Sequence, residues 1–463
     1  FLNSKSGLHV DRYKVQVLPT RPRDAEAPAG TGPHEKGYWD PFKERKLDHA
    51  TTDGETLTHL LKASLGTGIL AMPAAFKNAG MITGIFATII VSLVCTHCSY
   101  VLVKCAHSLY HRKKVTTMTF ADVGEVAFAN GPPWGRKFSK WARFSILFGL
   151  FLAYFGTCSV YTVIIAKNFK IVIIKWKKHG GRHHSHYNAD IRFYIAVLLV
   201  PLILLSWIPN LKYLAPISML ANFLMAGGLG ITFWYLVWDL PSTLPDFFST
   251  TIFAIEAIGV IMPLENAMET PQHFVGICGV LNRGMSGVTM IYILLGFLGF
   301  LKFGDAAQDN ITNNLDITQI CQYLRSNCCF CTFGLQFFVC LEIGWDAVKG
   351  YFPKRQRFYN YIVRTVLVSG AVFLAIAVPT IGPFINLIGA LCFSLLGLII
   401  PVFIEFVTYW DVGFGSFNWI VWKNILVLIF GVLALFFGSA TSIKGIAELY
   451  APQNAAADGF NRL

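Results

Sequence analysis

The stretch LTHLLKASLGTGILAMPAAFKNAG, residues 57–80, decides the fold of this chain. It is apolar enough to enter a bilayer. Yet it opens with His59 and Lys62, carries Gly66-Thr67-Gly68 at its middle, and has Pro73 shortly after. Inside a membrane each unpaired backbone group is costly, so irregular backbone persists only where it lines a cavity or bonds a ligand. Gly66 and Gly68 permit conformations that other residues resist, and Pro73 lacks an N–H and frees a carbonyl one turn back. The pattern predicts a membrane helix interrupted midway, exposing N–H and C=O groups at mid-membrane.

A second stretch, TIFAIEAIGVIMPLEN (251–266), repeats the device. Glu256 stands in its apolar middle, followed by Gly259 and Pro263. Eleven apolar spans are read along the chain, at 57–76, 79–106, 139–166, 191–208, 212–237, 248–268, 284–303, 329–350, 361–380, 382–408 and 419–441, each near or above the roughly 20 residues a crossing helix needs. The interrupted spans are the first and sixth, five apart in order. That placement points to an inverted-repeat transporter with its site at the membrane midplane. The expected fold class is an all-α integral membrane protein, with spans one to five and six to ten as the repeats and the eleventh added.

Composition agrees. Of 463 residues, 54% are hydrophobic and only 14% charged, against about 25% charged in ordinary soluble domains. The net charge of +12 does not imply nucleic acid, because the basic residues cluster between apolar spans, as they do in cytoplasmic loops. Residues 1–55 are rich in Pro, Gly and charge, as in RPRDAEAPAGTGPHEKG (21–37), and are expected to form a disordered cytoplasmic tail. With no apolar core in that stretch, no cleavable signal peptide is expected. The transporter domain is then 56–447, with 448–463 a short non-cytoplasmic tail.

An inward N-terminus puts that tail, HRKK (111–114), Arg136, Lys137, Lys140 and KRQR (354–357) on the cytoplasmic side. The stretch Lys167 to Arg182, running into KWKKHGGRHHSH (175–186), is then a basic outward loop and the one exception. Asn310-Ile311-Thr312 is the only N-x-[ST] sequon and falls in an outward loop, where a glycan acceptor belongs. Of 11 cysteines, Cys95, Cys98, Cys158 and Cys392 lie in apolar spans as small buried thiols. Cys321, Cys328, Cys329 and Cys331 cluster without zinc-ligand spacing, leaving one local disulfide open. His183, His184 and His186 lack matched carboxylates, so no metal is expected.

At these motifs the chain resembles a known family. HLLKASLGTGILAMPAAFKNAG (59–80), FAIEAIGVIMPLENAM (253–268), LGFLKFGD (298–305) and LVKCAH (102–107) are similar to the proton-coupled amino acid transporters of the amino acid/auxin permease superfamily, which have the LeuT-type fold. The resemblance spans roughly residues 50–450. It implies eleven spans, an inward N-terminus and symport of small neutral amino acids with protons at the plasma membrane or on lysosomes. Some members also act as nutrient sensors, so the tail is a candidate docking site for a cytoplasmic signalling partner. Family members often join the loop after the third span to the loop after the seventh by a disulfide. Residues 167–190 contain no cysteine, so that bond is not available here.

Roles follow from the substrate's chemistry. The N-terminal end of a half-helix offers free N–H groups and positive dipole to a carboxylate, and Ser64, Gly66, Thr67 and Gly68 are placed to supply it. Carbonyls near Phe253 to Glu256 would take the ammonium. Gly66 and Gly259, with Phe253 filling the pocket, favour Gly, Ala and Pro as substrates. For protons, His59 titrates nearest physiological pH and lies on the Gly66 face, and the resemblance also implies it as the proton-linked histidine. Glu256 is a second candidate, since an intramembrane acid is functional by default. Glu342, in VCLEIGWDAV (339–348), is a third. Lys62 is expected to reach the interface. No cofactor beyond the co-transported proton is expected. Sodium coupling and a sensor with little flux remain alternatives. No nucleophile–base set or nucleotide loop suggests an enzyme, and no ring of charges suggests a channel.

Overall fold

The computed structural model describes residues 39–45, 50–64, 67–179, 190–208, 227–234, 236, 258–276, 278–308, 311, 314, 318–352, 355–379 and 382–450. The described chain is almost entirely helical. The first span is divided as the sequence predicts. Helix α1, Asp53–Ser64, is followed by a 3-10 turn, Thr67–Ala71, and then by α2, Met72–Ala79. Thr52 starts α1 with a reciprocal cap: the Thr52 N–H donates to Glu55 Oε2 at 2.9 Å, and Glu55 N–H reaches Thr52 Oγ1 at 3.4 Å. Gly80, at φ +87°, turns the chain into α3, a conformation that glycine takes without penalty.

Helix α3, Met81–Lys113, runs 33 residues. The short helices α4, Phe120–Ala129, and α5, Pro133–Arg136, lead to α6, Ser139–His179. The expected outward loop from Lys167 is therefore corrected. The helix continues through the basic stretch to His179, because lysine and isoleucine there interrupt no backbone bond, whereas the first helix-breaking pair is Gly180-Gly181. At 41 residues α6 spans about 60 Å, roughly twice a bilayer core. The fourth span is two short helices, α7, Ile191–Val197, and α8, Leu199–Ser206. They part where Pro201 has no N–H to offer the Val197 carbonyl. Arg364, itself buried, donates to the Ser206 and Ile208 carbonyls at 2.5 and 2.9 Å and so completes the end of α8.

The later elements are α9, Ile258–Ala267; α10, Val280–Phe303; α11, Thr318–Val348; and α12, Gln356–Ala377. Helix α11 thus begins eleven residues before the expected span, so Cys321 is helical. The tenth span is α13, Gly382–Ile388, a π-helical segment, Gly389–Ile399, and α14, Ile400–Thr408. Helix α15, Trp419–Tyr450, is the last. Six helices among the described residues are each long and apolar enough to cross a membrane.

Two groups of helices form the body. Helix α10 packs on α1, α2 and α3, and α1 also meets α9. Helix α6 packs along α11, α4 and α12. Small residues allow the first group to close: a Cβ on Gly296 would lie 2.5 Å from the Phe76 ring, and one on Gly299 would lie 2.4 Å from Pro73 Cγ. The outer faces stay apolar, with Ile82, Phe86 and Leu93 on α3 and Leu426, Phe436 and Phe437 on α15 all exposed. Exposed tryptophans Trp134, Trp141, Trp410, Trp419 and Trp422 gather near helix ends, as an interfacial aromatic belt requires. The chain is an integral, multi-pass membrane protein.

Candidate functional site

The interruption of the first helix is built on Ser64. This residue ends α1, is 3% exposed, and its hydroxyl has no hydrogen-bond partner among the described residues. The carbonyl it would have spent on continuing the helix accepts instead from the hydroxyl of Tyr292, a fully buried residue of α10. A break in a membrane helix is tolerated when neighbouring elements satisfy the freed groups, and Tyr292 does this for Ser64. Beyond the break, Gly68 is buried and the 3-10 turn begins at Thr67. The first N–H groups of a helical turn have no partner within it, so this turn presents donors where α1 has stopped. Gly66 lies outside the described residues.

The sixth span contributes α9, which starts at Ile258. Gly259 sits against α6, where an added Cβ would lie 2.5 Å from the Tyr154 hydroxyl oxygen and 3.3 Å from its Cζ. Helix α9 also contacts α1. The two halves named from the sequence therefore share one region, with Tyr154 pressed onto the second. Phe253 and Glu256 lie outside the described residues, as do Asn310 and the His183, His184 and His186 cluster.

His59 is half-buried on α1, five residues before Ser64 and so about 8 Å from it along the axis. One turn earlier stands Glu55, which is fully exposed. The Thr52 main-chain N–H, then its hydroxyl, hold the Glu55 carboxyl below its ordinary value, and charge from His59 adds least. Glu342 is exposed on α11, a turn before Asp346, and no hydrogen bond among the described residues joins it to α1 or α9.

Sequence reading overlooked a carboxylate that the fold surrounds with three donors. Glu265, near the end of α9, is completely buried. Its oxygens take Arg45 Nη2 at 3.2 Å, His107 Nε2 at 3.1 Å and the Tyr110 hydroxyl at 2.8 Å. The same rule that marked Glu256, an acid within an apolar span, applies equally to Glu265 in PLENAM. A second buried pair joins the last two spans, where Lys423 Nζ donates to both Glu405 oxygens at 2.8 and 2.7 Å.

Comparison with known proteins places this geometry. Residues 49–444 match the family described as "Transmembrane amino acid transporter protein". The chain is 57% identical over 452 residues to the Drosophila melanogaster "Proton-coupled amino acid transporter-like protein pathetic", covering 95% of this chain and 93% of that one. It is 24% identical to the Arabidopsis thaliana "Amino acid transporter ANT1", over 85% of this chain and 92% of that one. Among solved structures, the Eremococcus coleocola manganese transporter superposes with TM-score 0.52 at 12% identity, covering 94% of this chain and 92% of that one. Inward-facing Mhp1 gives TM-score 0.52 at 10% identity, covering 88% and 92%. The structural likenesses establish the LeuT-type fold alone; the relatives are transporters and not enzymes. With its divided first helix and a family match over residues 49–444, this chain belongs to the transmembrane amino acid transporter protein family.

Proposed function

We propose that this protein is a proton-coupled symporter of small neutral amino acids such as Gly, Ala and Pro, working with its N-terminus in the cytoplasm at the plasma membrane or a lysosomal membrane. The observation that carries this reading is the stop at Ser64, with its carbonyl held by Tyr292 and a fresh helical turn beginning at Thr67. That turn supplies N–H donors to a substrate carboxylate, with Ser64, Gly66, Thr67 and Gly68 around it. Carbonyls near Phe253 and Glu256 receive the ammonium, and Gly259 with Tyr154 over it limits the space. The name of the Drosophila relative supports proton coupling. Uptake of labelled amino acids into proteoliposomes, at pH 5.5 and 7.5 with and without sodium, tests the reading. Substrate binding without flux would instead make this protein a sensor, and a sodium requirement would overturn the proton.

His59 is assigned the coupling proton, with Glu256 and Glu342 as further acidic groups on the route. His59→Ala is expected to abolish uptake driven by an inward proton gradient while leaving equilibrium exchange of substrate. Full gradient-driven uptake in this variant would remove His59 from the mechanism.

Asn310 is assigned a glycan on the non-cytoplasmic face. Asn310→Gln should shift the protein to a sharper, faster band on a gel, by the mass of one glycan. A cysteine at position 310 that reacts only from the cytoplasmic side would reverse the proposed orientation. The tail before α1 is the surface on which a cytoplasmic signalling partner would dock.

A further inference from the structure

Arg364 is 6% exposed and sits eight residues after the start of α12, about 12 Å along the axis. A guanidinium stays charged in a protein, and burying one is costly unless an opposite charge stands beside it. Arg45 has Glu265, and Arg143 has Asp122 and Glu125. Arg364 bonds only neutral oxygens among the described residues. Its Nε donates to Asn360 Oδ1 at 2.7 Å, and its Nη1 serves the Ser206 and Ile208 carbonyls at the end of α8. Its Nη2 has no acceptor among the described residues, yet it is not sealed from the surface. The cation therefore lacks a counter-ion and keeps one nitrogen free to meet one.

The side chain lines a shallow crevice where α8 packs on α11 and α12. Leu205, Ile208, Phe337 and Phe338 form its apolar walls. The space inside is about 10 Å³, room for one water at most. An anion that pairs with Arg364 must therefore sit at the mouth. Trp207 and Tyr361 stand there, 44% and 39% exposed, edge to face with centroids 6.1 Å apart. Trp207 Nε1 donates to Thr365 Oγ1 at 3.1 Å, which fixes the indole against α12. Amphipathic rings of this kind favour the level of lipid headgroups. Phe358, Ile362 and Val366, all exposed, mark the lipid-facing side of the same helix. Arg357, also exposed, lies two turns before Arg364 on one face.

We propose that this crevice binds an anionic phospholipid, whose phosphate is the counter-ion of Arg364. The guanidinium fork matches phosphate oxygens, and the bond is charge-assisted. Lipid phosphate is the anion that shares this depth with the helix, and the apolar walls and the exposed stripe of α12 suit its acyl chains. A zwitterionic lipid brings its own cation to the phosphate, whereas an anionic one leaves charge for Arg357 as well. Bound there, the lipid joins the end of α8 to α12 through one side chain. That the lipid belongs to the cytoplasmic leaflet rests on the orientation proposed above; the site itself does not.

The test counts lipids on the full chain, purified in detergent, by native mass spectrometry. Dioleoylphosphatidylserine and dioleoylphosphatidylcholine are titrated separately, and inorganic phosphate is added as a competitor. The parent should take one phosphatidylserine about tenfold more tightly than phosphatidylcholine, the equivalent of one charge-assisted hydrogen bond. Arg364→Gln should lose that preference. Because Arg364 also completes α8, Tyr361→Glu supplies a reading that leaves the arginine in place. It puts a carboxylate one turn from the guanidinium and so fills the anion's position from within the chain. This variant should lose the preference without any fall in the thermal midpoint of the lipid-free protein. An undiminished preference in either variant, or equal binding of the two lipids by the parent, would overturn the proposal. Displacement of phosphatidylserine by inorganic phosphate would make the occupant a free anion and overturn it too.

Discussion

Alanine at position 259 should reduce uptake by roughly 5- to 150-fold, the range that corresponds to about 1–3 kcal/mol of overpacking. Its Cβ would sit 2.5 Å from the Tyr154 hydroxyl oxygen, closer than real contacts allow. Either the tyrosine or the start of α9 must then move, and both border the space assigned to the substrate. The same geometry specifies a rescue. Without the hydroxyl, the nearest ring atom is Cζ at 3.3 Å, a contact that small adjustments relieve. Tyr154→Phe combined with Gly259→Ala should therefore recover a large part of the lost uptake, with a coupling energy that marks the two positions as touching. Uptake per inserted molecule, measured for both single variants and the double, decides the matter. Normal transport by Gly259→Ala alone would show that this end of α9 is not tightly packed against α6. Gly66→Val makes the matching test of the first interruption: it is expected to block substrate binding, because the added side chain would fill the space assigned to the carboxylate.

The largest loss of stability should come from Lys423→Met. Lys423 and Glu405 are 13% and 5% exposed at their side chains, and the ammonium meets both carboxylate oxygens. Deleting the lysine leaves a buried carboxylate alone, which costs about 3–5 kcal/mol, whereas replacing both partners with apolar residues of similar size is nearly neutral. The single variant should lose its monodisperse peak at a much lower temperature in detergent, and K423M/E405L should regain most of the difference. Equal thermal midpoints for the parent and Lys423→Met would mean that the pair adds nothing to the packing of α14 against α15. Helix α15 shows why a polar tie is placed there. Much of its surface is exposed apolar side chain, and between helices already surrounded by lipid the hydrophobic effect supplies little attraction.

The sequence by itself determined the features that depend on neighbouring residues. Hydropathy marked the spans, because a helix in lipid must be apolar along about 20 residues. The stop near Gly66-Thr67-Gly68 was legible because glycine and proline act on their own backbone and that of the adjacent turn. The glycine and proline pattern in the first and sixth spans, five apart, was enough to indicate the fold class, although only the first interruption lies among the described residues and α9 runs on through Gly259 and Pro263. Even there, local reading ended one helix too soon: it took the lysines after Lys167 for a loop, although lysine does not break a helix and α6 continues to His179.

Tertiary structure alone decided which polar groups meet. Arg45 and Glu265 are 220 residues apart in the chain, Tyr292 and Ser64 are 228 apart, and Tyr154 reaches Gly259 from another helix. Membrane helices apolar on nearly every face have no periodic stripe to show which side turns inward, so neither partner nor depth can be read along them. Glu256 and Glu265 lie nine residues apart in one apolar run and look alike in sequence. Only the packing of Arg45 and of α3, through His107 and Tyr110, against the end of α9 marks Glu265 out. A buried charge is kept by the groups brought to it through the fold, and those groups are not its neighbours in the chain.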